Sequence, residues 1–250
     1  MINLKRKNGG FTSIYRIEIE NYKKIIKIYD QNAFTSFFRT NLNKYKLFYK
    51  SLNRIKISPN YKVLSNHIVE IDEIENEYHL TKKNLFLDHK KLIKFRDKIR
   101  RIQKINKKTL EKNLVSEIKY YLKNKETPKI IGNNIMKLEK YINIYPQNKV
   151  CHGDIHFGNI IISKEKLYLL DWDYSLISCT GYEIAMFAYL EKLNPKEIKT
   201  LSEIFEISIK EIRHYYPVCI LLDFLYQNVL FKNINKKLLN ETTKFIEDIP

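Results

Sequence analysis

The sequence predicts an α+β chain: a mainly antiparallel-sheet portion over residues 1–75, then a mainly helical portion over residues 76–250. Three patterns carry this. Tyr15, Ile17 and Ile19 alternate with Arg16, Glu18 and Glu20, as a half-buried strand requires. From Leu92 onward apolar residues return every three or four positions, which is helical spacing. One short hairpin pattern, "NIIIS" and "LYLLDW" joined by "KEK", interrupts the helical part.

Taken in order, residues 11–29 read as a β-hairpin, with a polar "ENYK" turn and "KIIKIY" as the returning strand. Residues 33–55 read as a helix that Pro59 stops, because proline lacks the N–H and clashes with the preceding turn. "KISPNYKVLSNHIVEIDEIE" then supplies two short strands. The acidic stretch near 70–77 marks the boundary between the two portions. Leu92, Phe95, Ile99 and Ile102 line a helix near 88–106, and Leu110, Leu114, Ile118 and Leu122 extend the theme. Helices resume after Gly181. "YPVCILLDFLYQNVLF", Tyr216 to Phe231, is short for a bilayer span and is interrupted by Asp223, Gln227 and Asn228, so it reads as a buried helix.

A chain of 250 residues buries enough core to hold a cleft. Its net charge of +17 invites a nucleic-acid or membrane reading, but 37 of the 45 basic residues are Lys, interspersed throughout with Ile and Asn. Residues 1–150 hold 34 basic and 14 acidic side chains, whereas residues 151–250 hold 11 and 14. The second portion therefore suits a small cationic partner better than a polyanion, and neither a nucleic-acid nor a membrane partner is expected. Cys151, Cys179 and Cys219 are odd in number and lack CxxC spacing, which argues against a disulfide framework and for a reducing, cytoplasmic setting. The start, "MINLKRKNGGF", has no apolar run of the kind a signal peptide carries.

The chemistry concentrates in "CHGDIHFGNIIISKEKLYLLDWDYS", Cys151 to Ser175, which holds three Asp, two His and one Asn. Four of the six glycines, Gly9, Gly10, Gly153 and Gly158, fall in two loops, as close backbone approach to a ligand requires. Asp154 and Asn159 are five positions apart, and Asp171 ends the second strand of the hairpin. Phosphoryl transfer needs this set: one carboxylate to accept the acceptor hydroxyl's proton, and an amide oxygen with a second carboxylate to hold magnesium on nucleotide phosphates. His152 is placed to brace the loop by hydrogen bonding its backbone. A lone Asp beside a Gly is usually a turn, and a lone Asp ending a strand is usually a cap; the joint pattern is far more constrained.

Two other metal chemistries fit these residues less well. "GDIH" is similar to a metallophosphatase motif, but the sole Asn-His pair, Asn66-His67, lies far upstream and Phe157 stands where that motif has Gly. Cys151, His152 and His156 lack the further ligands that zinc requires.

"HGDIHFGN" followed by "LYLLDWDYS" resembles the catalytic loop and metal-binding segment of the aminoglycoside phosphotransferase and choline kinase group, which has a two-lobed protein-kinase-like fold. The resemblance implies Asp154 as catalytic base, Asn159 and Asp171 as Mg2+ ligands and ATP as phosphoryl donor. "NGGFTSIYRIEI" is similar to the family's phosphate-covering loop, with Gly9 and Gly10 at its bend. Lys27 matches the basic residue that reaches the nucleotide phosphates, and "HIVEIDEIE", through Glu70 and Ile71, resembles the hinge that holds adenine. There is one departure. The family often places a Glu on the helix after the Lys strand to pair with that Lys, yet residues 31–55 contain no Asp or Glu.

Among acceptors, "LLDWDYS", "GYEIA" and "HYYPVCILLDFLYQ" look most like thiamine kinase. Thiamine is a cation with a primary alcohol, and Asp173 or Glu183 with the faces of Trp172, Tyr174, Tyr182 or Tyr215 would attract such a cation. Choline meets the same description, and aminoglycosides ask for a more acidic second portion. A nucleotide-binding scaffold without catalysis is the reading from a different class. Singly, each aromatic reads as core packing, since Tyr alone numbers 18.

Overall fold

The structure, a computed structural model, describes residues 5–8, 12–19, 22–29, 42–75, 77–123, 127–231 and 235–249. Gly9 and Gly10 lie outside them, as do the "ENYK" turn's Glu20 and Asn21 and the helix start expected at 33. In chain order the strands and helices are β1 (Lys5–Asn8), β2 (Thr12–Ile19), β3 (Tyr22–Tyr29), α1 (Leu42–Ile55), β4 (Tyr61–Val63), β5 (Ile68–Asp72), β6 (Tyr78–His79), α2 (Lys82–Phe86) and α3 (His89–Ile102). They continue as α4 (Leu114–Tyr121), α5 (Lys129–Asn133), α6 (Ile135–Ile142), β7 (Lys149–Cys151), β8 (Ile160–Ser163), β9 (Lys166–Leu169) and β10 (Leu176–Ser178). Four helices end the chain: α7 (Thr180–Leu190), α8 (Pro195–Phe205), α9 (Ile209–Phe231) and α10 (Lys236–Asp248).

The chain divides into two compact units. Unit 1 comprises residues 1–110 with 157–174, and unit 2 comprises residues 111–156 with 175–250. This differs from a boundary near 75. Residues 76–110 join the first unit because α3 packs on β9 and β6 pairs with β8, so the hairpin at 160–169 becomes part of the sheet-bearing unit.

Unit 1 is built on an antiparallel five-stranded sheet in the order β1-β2-β3-β5-β4. The expected hairpin forms with Thr12 opposite Tyr29 and Ile14 opposite Lys27. Strand β1, too polar to announce itself, pairs along β2. Because side chains alternate across a sheet, Lys27 shares a face with Ile25 and Tyr29 while Ile26 and Ile28 face the other way. Val69 and Val63 lie across from Lys27 on that same face. Helix α1 buries Tyr45, Phe48, Tyr49 and Leu52, one stripe at helical spacing, and Tyr49 stacks on Tyr61 with ring centroids 4.8 Å apart. The Asn53 amide both donates to the Tyr61 carbonyl and accepts from the Tyr61 N–H, each at 2.9 Å, which fixes β4 against α1. Asp88 caps α3 by accepting from the N–H groups of Lys90 and Lys91. The predicted stripe of Leu92, Phe95, Ile99 and Ile102 is buried, each side chain contributing about 2 kcal/mol.

In unit 2, α7 and α9 form the core. Residues Gly181 to Ala188 of α7 are buried throughout, and Tyr215, Val218, Cys219, Phe224 and Leu225 line α9. "YPVCILLDFLYQNVLF" is therefore a buried helix, and no helix among the described residues is long and apolar enough to cross a membrane. Strands β7 and β10 pair antiparallel, Cys151 opposite Leu176. The sequence pattern missed both, since three residues are too few to show a period. All three cysteines are free and buried.

Candidate active site

Within unit 1 a cavity of about 460 Å³ lies against the sheet face that carries Lys27. Ile14, Ile25 and Ile71 from the sheet and Ile161 and Leu170 from the hairpin give it apolar walls, while Lys27, Asn159, Asp171 and Asp173 give it a polar end. A small-molecule site has this character, mostly apolar with a few converging polar groups.

The sequence left open what holds Lys27 when α1 offers no acid. In the structure the Lys27 ammonium donates to Asp173 Oδ2 at 2.6 Å and to Asp171 Oδ1 at 2.9 Å. Asp173 Oδ1 accepts from the Tyr29 hydroxyl at 2.7 Å, so both Asp173 oxygens are engaged. Lys27 also sits 5.1 Å from the Tyr29 ring centroid. Burial opposes charge on Lys27, but the two carboxylates outweigh it and raise its pKa well above the ordinary lysine value. Burial likewise pushes Asp173 up, to about 6, against the pull of Lys27. Asp173 is 8% exposed and thus stands as the lysine's anchor, where the sequence suggested a ligand for a cationic substrate.

Hairpin geometry brings Asn159 and Asp171 to the same cavity. Ile160 faces Leu169 in the β8/β9 ladder, and the Leu170 N–H donates to the Asn159 carbonyl at 2.9 Å. The turn between the strands holds Lys164 and Glu165 at φ 45° and 63°, the left-handed pair that tight hairpins use. Asp171 itself adopts φ 57°, a conformation costing about 1 kcal/mol outside glycine and frequent at functional positions. Its side chain is 42% exposed. Among the described residues no group of three or more His, Cys, Asp or Glu is disposed to hold a metal. The donor set on the cavity fits magnesium all the same, because that ion takes one or two carboxylates and completes its shell with phosphate oxygens and water.

Three expected ligand residues also have structural partners, and of these Ile71 and Trp172 line the cavity. Glu70 and Ile71 lie inside β5, paired with Ile26 and Ile25 on one side and with Lys62 and Tyr61 on the other, so their backbone is committed to the sheet. The segment that follows, Glu73 and Ile74, lines the cavity without a ladder partner among the described residues. Trp172 is 1% exposed; its ring meets Phe48 edge-on at 5.9 Å and its N–H donates to the Leu169 carbonyl at 3.2 Å. It is a core residue with one edge on the cavity. Tyr174 is half-buried in unit 1.

Unit 2 holds the loop "CHGDIH". Gly153 takes φ 81°, which a side chain would disfavour, and so turns the chain between His152 and Asp154. His152 is fully buried, and its Nδ1 accepts from the Asp154 N–H at 3.3 Å. Glu183, in the first turn of α7, accepts from the N–H groups of His152 at 2.8 Å and Gly153 at 3.2 Å. At 1% exposure it meets the loop backbone rather than a substrate cation, and burial pushes its pKa up to about 7 against the two N–H donors. Sequence reasoning missed this role, since no local pattern links residues 31 apart. Asp154 is partly exposed, with His156 Nε2 3.8 Å from its Oδ2. Tyr182 and Tyr215 are buried, their rings edge-on at 6.2 Å.

Residues 105–206 match the sequence pattern of APH, the phosphotransferase enzyme family. A protein LicA homolog from Metamycoplasma hominis is 26% identical over 118 residues, covering 39% of this chain and 47% of that relative. The chain thus spans about half the length of the curated relative it matches. The crystal structure of choline kinase LicA from Streptococcus pneumoniae superposes with a TM-score of 0.75 at 18% identity, covering 94% of this chain and 88% of that one. LicA in complex with AMP gives 0.77 at 18% identity, covering 98% and 91%. The chain has the two-lobed, α+β protein-kinase-like fold of these kinases, and its residues 105–206 carry the pattern of the APH phosphotransferase enzyme family.

Proposed function

We propose that the chain is an ATP-dependent kinase that phosphorylates the hydroxyl of a small cationic alcohol of the choline type. The observation that carries this reading is the cavity whose polar end joins Lys27, Asn159 and Asp171. Its apolar walls suit adenine, with the free backbone of Glu73 and Ile74 to hydrogen-bond the base's edge. Lys27, anchored by Asp173, meets the phosphates. Asn159 and Asp171 would hold magnesium, which when bound would offset the negative charge that develops on the phosphoryl group during transfer. The Asp154 carboxylate accepts the acceptor's O–H proton as that oxygen forms its bond to the γ-phosphorus, and the bond to the β,γ-bridging oxygen breaks to release ADP. Glu183 and His152 keep the loop's backbone in register, so that Asp154 is presented in one conformation.

Thiamine, to which the sequence resemblance points, finds no support in the relatives named above, one of which is a choline kinase; choline becomes the leading acceptor. The test is ADP release with magnesium and ATP against choline, ethanolamine, thiamine and kanamycin, with the product identified by mass. Turnover is expected on choline. Asp154→Ala should lower it by about 10²–10⁴-fold while leaving nucleotide affinity unchanged. Silence on all four acceptors, with nucleotide still bound, would replace this reading with a non-catalytic nucleotide-binding scaffold.

A further inference from the structure

A second cavity in unit 1, about 730 Å³, shares Pro59 and the segment Asp72–Ile74 with the first as a common wall. Three separate elements bring cations to it: Lys56 after α1, Lys98 and Arg101 on α3, and Lys164 and Lys166 at the hairpin. Three acids line it too, but the sheet already engages each: Glu73 pairs with Arg16, Asp72 with Lys24, and Glu75 with Lys23 at 3.1 Å. None of the five cations has a carboxylate partner among the described residues. Lys98 donates to the Lys56 carbonyl at 3.1 Å and Arg101 to the Ile55 carbonyl, which satisfies the C-terminus of α1 but neutralises neither charge.

Such convergence is unfavourable by itself. Burial, with repulsion from Arg101 and Lys166, lowers the Lys98 pKa to about 8. A further sign is independent of charge: Ser58 lines this cavity, is 4% exposed, and has a hydroxyl without a hydrogen-bond partner. Buried hydroxyls are normally satisfied, and an orphan beside a cationic cluster with no carboxylate partner among the described residues, Lys98 resting 5.8 Å from the Tyr168 ring centroid, points to a missing acceptor. Lysine is the usual point-charge binder of phosphate oxygens, and the volume is that of a small-molecule site. We propose that this cavity is a binding site for a small phosphate-bearing polyanion, separate from the nucleotide cavity and held by Lys56, Lys98, Arg101, Lys164, Lys166 and Ser58.

The proposal does not rest on the kinase reading, and its test reads binding. Tripolyphosphate is titrated calorimetrically into the full chain with the nucleotide cavity saturated by a non-hydrolysable ATP analogue and free magnesium held constant. One site is expected, weakening steeply with salt. Near pH 8 it should take up protons, seen as heats that change with the buffer's ionisation enthalpy, because the anion favours charged Lys98. Lys98→Gln/Lys166→Gln should weaken binding on the order of tenfold or more with nucleotide affinity unchanged. Lys137→Gln/Lys140→Gln, a charge-matched pair on α6, should leave it intact. Competition by the nucleotide analogue, equal loss in both double variants, or no saturable binding each overturns the proposal.

Discussion

Among the described residues Asp173 in unit 1 and Glu117 and Glu183 in unit 2 are buried carboxylates, and Asp173 and Glu183 meet the cost of burial differently. Asp173 is given a cation, with Lys27 Nζ at 2.6 Å and a phenol on its other oxygen. Glu183 is given two peptide N–H groups and, among the described residues, no cation. Burial raises both above the ordinary carboxylate range, Asp173 to about 6 and Glu183 to about 7. An ion pair fixes a charge that a ligand can use, so its partner must stay ionised. Peptide dipoles fix a loop, and they tolerate a carboxyl that gains its proton near neutrality. The two devices should therefore fail in different ways.

The largest effect is expected from breaking the ion pair. Lys27→Met leaves Asp173 buried without its cation, which should cost about 3–5 kcal/mol of unfolding free energy. Removing both charges separates stability from function: Lys27→Met/Asp173→Leu should recover most of that loss in urea denaturation yet bind nucleotide no better than the single variant. A double variant as unstable as the single would show that packing around Tyr29 and Tyr49, not charge, holds this corner. Recovery of nucleotide binding would remove Lys27 from the phosphates.

Glu183 should answer to pH. Its folded-state pKa, about 7, lies above the unfolded value of 4.5, so the folded chain holds the extra proton between them. Its contribution to stability is full below pH 4.5 and is lost as pH rises through 7, about 3 kcal/mol in all. Glu183→Gln carries no titrating proton, so subtracting its urea profile from that of the unmodified chain isolates the slope of Glu183 alone. The unmodified chain should lose stability relative to the variant between pH 5 and pH 8. A constant difference would mean that the two N–H donors keep Glu183 ionised throughout.

The same contrast explains what the sequence could and could not reveal. Alternation along residues 15–19 and the Leu92, Phe95, Ile99, Ile102 stripe are local patterns, and both became the elements they imply. The hairpin linking Asn159 to Asp171 was legible for the same reason, since both ends lie within a dozen residues. Lys27 and Asp173 are 146 residues apart, and nothing local tells an anchoring Asp from one that meets a substrate. The adenine contact expected at Glu70 and Ile71 falls on backbone that the β5 ladder engages, and the apolar alternation of "HIVEIDEIE" runs on past Asp72, where pairing stops, so only the ladder shows which backbone is unpaired. The unit boundary was hidden because the chain crosses between units at 156–157 and again at 174–175, inside one continuous motif.

The smallest effect on stability, and the sharpest on ligand, belongs to Asp171. It contacts Lys27 at 2.9 Å but is 42% exposed, so water already screens much of that attraction. Asp171→Asn keeps the shape, suits φ 57° because Asn tolerates the left-handed region, and leaves Lys27 paired with Asp173. Unfolding free energy should change by less than about 1 kcal/mol. If Asp171 serves the nucleotide through magnesium, the variant should bind the magnesium complex of a non-hydrolysable ATP analogue more weakly while binding AMP without magnesium as before. Equal loss for both ligands would assign Asp171 to shaping the cavity through Lys27, and unchanged affinity for both would take it out of nucleotide binding, leaving Asp173 as the carboxylate that matters at this end of unit 1.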